Sequence, residues 1–323
     1  MNIARLTPSH APAILDCFRR VYGDSYANEI FYDLGRLSTA LETGNLCSVG
    51  ALADDGRIMG HMAMTVFPGA RHAELGNTVV DPSARGEGLA WRIGDALTAW
   101  TKEKGFEGYL HYPTTDHHIM QQQSVKRGFE TGLMLGYIPA ETDGQVSDSS
   151  SPLRGAATIV FEPLLSLTHT ETSVLPERFA QLIRETAQTC GVSRHWVAAA
   201  QASNLEPSSR TSVSEFAKRD LARLNVERVG QDFEAIVKAF NLLTHACKQV
   251  DLRLIDESIQ YGTELACELG FIFCGWMPGY RESDVLRLQS VDSRSDLNPG
   301  VVNPVGQQLG ERLRQEQAAN EKV

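Results

Sequence analysis

The sequence predicts an α/β (α+β) chain of two related domains, each a mixed, mostly antiparallel sheet flanked by helices. Three observations predict it. Short apolar runs with twofold alternation recur between stretches of helical period. A glycine turn, Arg85-Gly86-Glu87-Gly88-Leu89-Ala90, joins one strand-like run to an amphipathic stretch. The pattern around that turn then returns at a constant offset of 142 residues.

Ile3–Leu6 reads as a strand and Pro8–Tyr22 as a helix, with Thr7 or Ser9 near its cap. Leu46–Ala53, Ile58–Phe67 and Ala73–Val80 alternate as three strands, the first two joined by the turn Asp54-Asp55-Gly56. Leu89–Lys104 is an amphipathic helix and Gly108–Tyr112 a short strand. Asp116 suits the N-cap of a helix running to about Arg127, which Gly128-Phe129 ends with a left-handed glycine. Leu133–Ile138 and Ala157–Phe161 are further strands. The Ser-, Asp- and Gly-rich stretch Thr142–Gly155 between them reads as a mobile loop.

At the offset of 142, Gly88 falls on Gly230, Gly128-Phe129 on Gly270-Phe271, the strand 108–112 on 250–254 and the helix 117–127 on 259–269. Asp284–Ser290 then closes the second set as Ala157–Phe161 closes the first. A constant offset across four elements points to an internal duplication. Domains are therefore expected at 1–163 and 164–291, with a tail at 292–323 that is partly disordered or helical. The second turn differs: Arg85 becomes Glu227 and Ala90 becomes Asp232. Two carboxylates repel an anion, so the second half is expected to shape or support rather than to bind the same group.

Composition narrows the function. Of 323 residues, 42% are hydrophobic and 22% charged, as in soluble globular proteins. No apolar run reaches the ~18 residues of a membrane span. The N-terminus lacks a signal-peptide core, so a cytoplasmic, non-membrane protein is expected. A net charge of −10 argues against a nucleic-acid surface. Cysteines 17, 47, 190, 247, 267 and 274 are scattered without a CxxC pair and read as buried free thiols. His117 and His118 begin a helix, where neighbours point about 100° apart. With no third ligand at metal spacing, no metal is expected.

A strand that breaks into glycines at a helix N-terminus makes an anion cradle from backbone N–H groups. The pattern is neither GxxxxGK[ST] nor GxGxxG after an N-terminal strand, so neither a P-loop nor a dinucleotide fold is implied. In this strand–helix context, residues 1–163 resemble the GNAT superfamily of acyl-CoA-dependent N-acyltransferases. The resemblance rests on Val79-Val80-Asp81-Pro82, on Arg85-x-x-Gly88-x-Ala90 and on the helix ending in Gly128-Phe129. It implies acetyl-CoA as co-substrate. The backbone at Thr78, Val79 and Val80 would hold the pantetheine amides, and Arg85, Gly86, Glu87, Gly88, Leu89 and Ala90 the pyrophosphate. The chain then resembles a tandem member with a degenerate second half.

Acetyl transfer to an amine needs a base, an oxyanion donor and an acid for the leaving thiolate. Glu74 is the first choice for base, because alternation places it on one face with Gly76 and Thr78. His111 lies in the next strand, one of the two that splay around the thioester in this family, and reads equally as a core histidine. His61 reads as a packing residue. Many relatives carry a tyrosine acid four residues before the Gly-Phe glycine, where this chain has Ser124. Serine can hydrogen-bond the sulfur but is a poor proton donor, so Tyr112, Tyr22, Tyr26 or a water can take that part. Tyr22, Tyr26 and Tyr32, with Phe31, Asp24 and Glu29, occupy the segment that lines the acceptor pocket in the family. The expected activity is direct acetyl transfer to the primary amine of a small metabolite, such as an aminoalkylphosphonate. The alternatives are a peptide-lysine acetyltransferase and an acyl-CoA-binding regulator without turnover. A homodimer is compatible with all three.

Overall fold

The N-terminal strands pair side by side in the computed structural model, which describes residues 1–140, 153–165, 171–200, 205–280 and 282–320. Two units separate between His111 and Tyr112. The first contains β1 (Asn2–Leu6), α1 (Ala11–Tyr22), α2 (Leu34–Thr43), β2 (Leu46–Leu52), β3 (Ile58–Thr65), β4 (His72–Val80), α3 (Leu89–Glu103) and β5 (Gly108–His111). Its strands lie in the order β1-β2-β3-β4-β5. The ladders from β1 to β4 are antiparallel, and β4–β5 is parallel, with α3 as the crossover.

Alternation along β3 sorts its two neighbouring layers. Met62 and Met64 face α3, where the Thr101 hydroxyl meets the Met64 sulfur at 3.1 Å. His61 and Ala63 face the opposite way, toward a core of Ile14, Phe18, Phe31, Leu37 and Val79. Burying a side chain such as Phe18 contributes about 1.5–3 kcal/mol. The expected helix at Pro8 opens as a 3-10 turn, Pro8–His10, because the Thr7 side chain and the His10 ring hydrogen-bond each other before α1 begins. α2 is capped by Asp33, whose carboxylate accepts from the Arg36 N–H at 3.0 Å.

The second unit contains α4 (His118–Ser124), β6 (Phe129–Ile138), β7 (Gly155–Pro163), β8 (Glu171–Leu175), α5 (Glu177–Thr189), β9 (Arg194–Ala198), β10 (Arg210–Phe216), β11 (Leu221–Arg228), α6 (Phe233–Asn241), β12 (Cys247–Arg253), α7 (Ile259–Glu268), β13 (Ile272–Met277), β14 (Val285–Val291) and α8 (Pro304–Asn320). Seven strands run β7-β6-β13-β14-β12-β11-β10, while β8 and β9 form a separate parallel pair. Within the seven, β11–β12 is parallel and the other ladders are antiparallel. The succession β11–α6–β12–α7–β13 repeats the element types of β4–α3–β5–α4–β6, including the parallel pairing across the first helix.

Several boundaries differ from the sequence reading. His117, not Asp116, caps α4: its ring accepts from the Met120 N–H at 3.2 Å. α4 ends at Ser124, and the Ser124 carbonyl accepts from the Gly128 N–H at 3.0 Å, closing the turn early. β6 begins at Phe129, four residues before the expected strand, and pairs with β7 and with β13. It meets β13 at Gly132 and Gly275, where a Cβ on Gly132 would lie 2.4 Å from the Cys274 carbonyl. The tail forms α8, with Leu309 and Leu313 buried and the Glu316 carboxylate accepting from the Phe273 N–H at 3.1 Å. The loop expected at Thr142–Gly155 lies outside the described residues up to residue 152. All six cysteines are free and buried.

Candidate active site

β4 carries the site because it departs from both of its neighbours. On the β3 side, Val79 pairs with His61 and Gly76 with Ala63, so Asn77 and Thr78 together lie opposite Met62 in a β-bulge. Asn77 adopts φ 53°, a left-handed conformation that asparagine tolerates better than most residues. On the β5 side the ladder stops at Leu75–His111, while β4 continues to Val80. The stretch Gly76–Val80 therefore lies beyond the β4–β5 ladder, where another extended, amide-bearing chain can pair with it.

Polar side chains fix the bulge. The His61 Nδ1 lies 2.9 Å from the Asn77 carbonyl and its Nε2 3.1 Å from the Ser48 hydroxyl. A carbonyl only accepts, so Nδ1 carries the proton and Nε2 accepts from Ser48. Burial pushes the His61 pKa down to about 4, so the ring is neutral, held edge-on to Phe18 and Phe31. The Tyr26 hydroxyl and the Asn28 amide both donate to the Asn77 side-chain oxygen, at 3.3 and 3.1 Å. The Tyr22 hydroxyl reaches the Thr78 carbonyl at 3.5 Å, and the Tyr32 hydroxyl accepts from the Tyr26 N–H at 2.9 Å. Tyr22, Tyr26 and Tyr32, chosen from the sequence, thus come together with Thr78 around the bulge. Burial raises the Tyr22 pKa, with the nearby Arg85 charge opposing it, so its hydroxyl stays protonated.

Past Val80 the chain enters the glycine turn. Asp81 accepts from the Ser83 hydroxyl at 2.7 Å, the Ser83 N–H at 3.0 Å and the Arg20 Nε at 3.0 Å, which holds its carboxyl below the usual range. Arg20 also donates to the Ile58 carbonyl at 2.6 Å, tying the turn to β3 and α1. Gly86 and Gly88 then sit at φ 84° and 67°. Both values favour glycine, and a Cβ at either would meet nothing within 4 Å, so the space above them is open. No backbone N–H from Gly86 to Ala90 has an acceptor among the described residues. That run of free donors at the positive end of α3 is an anion cradle. Glu87 and Leu89 contribute backbone to it, and the Leu89 side chain is buried toward β3. The Arg85 Nε folds back to the Val80 carbonyl at 3.3 Å.

The candidate bases lie on different faces. Glu74 pairs with Thr65 and Leu110 and shares the α1 face with Gly76. The bulge breaks the alternation after Gly76, so Val79 joins Glu74 on that face, not the expected Thr78. His111 pairs with Leu75, on the α3 face, where its ring meets Tyr109 edge-on at 5.9 Å. Desolvation pushes the His111 pKa down to about 4. Ser124 belongs to the second unit, buried at the end of α4. The sequence reading does not single out Asn77 or the supporting pair Arg20–Asp81, and it gives His61 a packing role alone. A signal existed: Gly76-Asn77, a turn dipeptide inside a strand pattern, marks a bulge.

The residues 142 positions on make the opposite arrangement. The Val229 N–H donates to Asp256 at 2.6 Å, the Gly230 N–H to the Ser209 hydroxyl at 2.8 Å and the Gln231 N–H to the Glu206 carbonyl at 2.9 Å. A Cβ on Gly230 would lie 2.5 Å from the Ser208–Ser209 backbone. This second turn is filled by the chain itself.

Among the described residues no helix is long and apolar enough to cross a membrane. Residues 11–126 match the model of the acetyltransferase (GNAT) family. No curated protein matches the chain. Similar solved structures include the PaiA N-acetyltransferase of Thermoplasma acidophilum in complex with coenzyme A, at 16% identity, 50% of this chain, 99% of that chain and TM-score 0.36. The ribosomal-protein-alanine N-acetyltransferase of Brucella melitensis shows 17% identity, 50% and 99% coverage and TM-score 0.39. A GNAT superfamily phosphinothricin acetyltransferase of Sinorhizobium meliloti in complex with AcCoA shows 16%, 52%, 90% and 0.40. The stretch that matches the GNAT acetyltransferase family, residues 11–126, contains the bulged β4 and the open glycine turn.

Proposed function

We propose that this acetyltransferase moves the acetyl group of acetyl-CoA directly to the primary amine of a small metabolite. The observation that carries the reading is the run of acceptor-free N–H groups from Gly86 to Ala90, directly beyond the stretch of β4 outside the β4–β5 ladder. The cradle residues Arg85–Ala90 take the pyrophosphate, and the backbone of Thr78, Val79 and Val80 takes the pantetheine amides. Acetyl-CoA supplies the activated acyl group. A backbone N–H of the bulged strand stabilises the oxyanion. Glu74 takes the amine proton, directly or through water. We prefer it to His111, which lies on the α3 face against Tyr109. Tyr22, Tyr26 and Tyr32 border the acceptor, and an aminoalkylphosphonate is the suggested acceptor class.

We further propose that 1–163 and 164–291 are tandem copies, the second degenerate, and that the protein works in the cytoplasm. Support for a single cofactor site comes from the filled turn at Val229–Gln231. Thiol release from acetyl-CoA across a panel of free amines and lysine peptides tests the function. Turnover with a free amine is expected. Preference for peptides would mark a protein-modifying enzyme, and CoA binding without turnover a regulator; either result overturns the small-amine reading.

A further inference from the structure

The seven-stranded sheet of the second unit buries a face that is polar rather than apolar. Register pairs Arg223 with Gln249, Gln249 with Gln289, and Asp251 with Arg287. Alternation therefore places Arg223, Asn225, Gln249, Asp251, Arg287 and Gln289 on one side, and Leu224, Val250, Leu252, Leu286 and Leu288 on the other. All of them are buried. Buried polar groups are costly unless every one is matched.

The match is incomplete in one direction. Asp251 takes both Nε and Nη2 of Arg287 at 2.7 Å, a complete bidentate pair. Arg223 stands 3.9 Å from the same carboxylate, and its own Nε and Nη2 donate to the Gln249 side-chain oxygen at 3.0 and 2.8 Å. Two guanidinium charges thus share one carboxylate. The nearby Arg154–Asp220 pair balances itself at 3.8 Å and adds no spare negative charge. The Arg287 Nη1 lies 3.8 Å from the Met134 sulfur, a weak acceptor. The Gln249 amide nitrogen is buried with no acceptor among the described residues. Turning that amide over would aim its N–H groups at the Arg223 guanidinium, so the assignment of its ends is fixed by chemistry. The group lacks one thing: a small, negatively charged acceptor.

We propose that Arg223 and the Gln249 amide nitrogen form a binding site for the oxyanion head of a small carboxylate or phosphonate. With the Nε–Nη2 edge of Arg223 given to Gln249, such a head meets the remaining guanidinium N–H groups beside the Gln249 amide nitrogen. The site uses none of the glycine-cradle residues and stands independently of the acetyl-transfer reading.

The test is calorimetric titration with methylphosphonate and with propionate, at matched ionic strength in chloride, in an Arg85→Ala background that weakens the cradle. At least one probe is expected to bind once per chain, and which one binds names the source of the oxyanion. Arg223→Gln should weaken that binding at least tenfold. Gln249→Glu places a carboxylate where the acceptor is missing. It should abolish binding and melt at or above the parent temperature without added anion. No binding by either probe, undiminished binding in Arg223→Gln or Gln249→Glu, or a lower melting temperature for Gln249→Glu would each overturn the proposal.

Discussion

The His61 Nδ1 donates to the carbonyl of Asn77 across 2.9 Å, and through that bond a buried ring in β3 holds the bulge of β4 in place. His61 is wholly enclosed, and its pKa of about 4 lies below that of a free imidazole. The unfolded chain therefore binds the extra proton first. Stability from this group is complete above about pH 6.5 and is lost as pH falls toward 4, by about 3 kcal/mol over the window. Melting temperatures from pH 7 to 4 should fall less steeply for His61→Gln than for the parent. Parallel curves would remove His61 as the cause.

Gly88 caps α3 in the left-handed region with open space above it. Gly88→Val should cost about 1–2 kcal/mol of strain at that residue and weaken coenzyme A binding about tenfold. Gly88→Asn, which accepts this conformation, should fall between. Dissociation constants for coenzyme A measure the series, and equal values for all three proteins would show that backbone conformation there is irrelevant to binding.

The free N–H run also predicts stoichiometry. One coenzyme A per chain is expected by calorimetry. Ala90→Asp, which places in the first turn the residue type found at Asp232, should abolish that binding. Two equivalents in the parent would mean that the second turn opens in solution.

Glu74→Gln keeps the size of the side chain and removes the base. Turnover should drop about 10²–10⁴-fold, the range of a general base, with coenzyme A binding kept. An unchanged turnover would exclude Glu74 from proton transfer.

Glu130 in β6 accepts from the Asn303 amide at 2.8 Å, and burial pushes its pKa up to about 7. Here the sign is reversed: the folded chain holds the proton longer, so stability is greatest below about pH 4.5 and declines as pH rises through 7. Glu130→Gln should raise stability at pH 8 by up to about 3 kcal/mol. A melting temperature equal to or below the parent at pH 8 would refute the assignment.

Periodicity made most of the first unit legible. Three alternating strands, the amphipathic α3 and the glycine turn appear where the pattern places them, because each is decided within a few residues of chain. The bulge was not legible by alternation alone. Its cause is the meeting of Asn77 with His61 of β3 and with Tyr26 and Asn28 of the stretch after α1, two segments separate from β4 in the chain. The start of β6 was missed for a similar reason. Glu130 and Gly132 give no local strand signal, and pairing with β7 and β13 makes them extended. The polar face around Gln249 also escaped, since alternation in 250–254 shows a strand but not that its polar side is buried.

The meeting of Gly132 and Gly275 bears on how the molecule can be cut. A fragment ending at Pro163 would keep the β6–β7 hairpin but strip β13 and α8 from β6. A glycine-flattened edge and the apolar surface under Leu309 and Leu313 would then be bare. Such an edge templates sheet growth between molecules. A fragment cut at Pro163 is therefore expected to self-associate where the full chain does not.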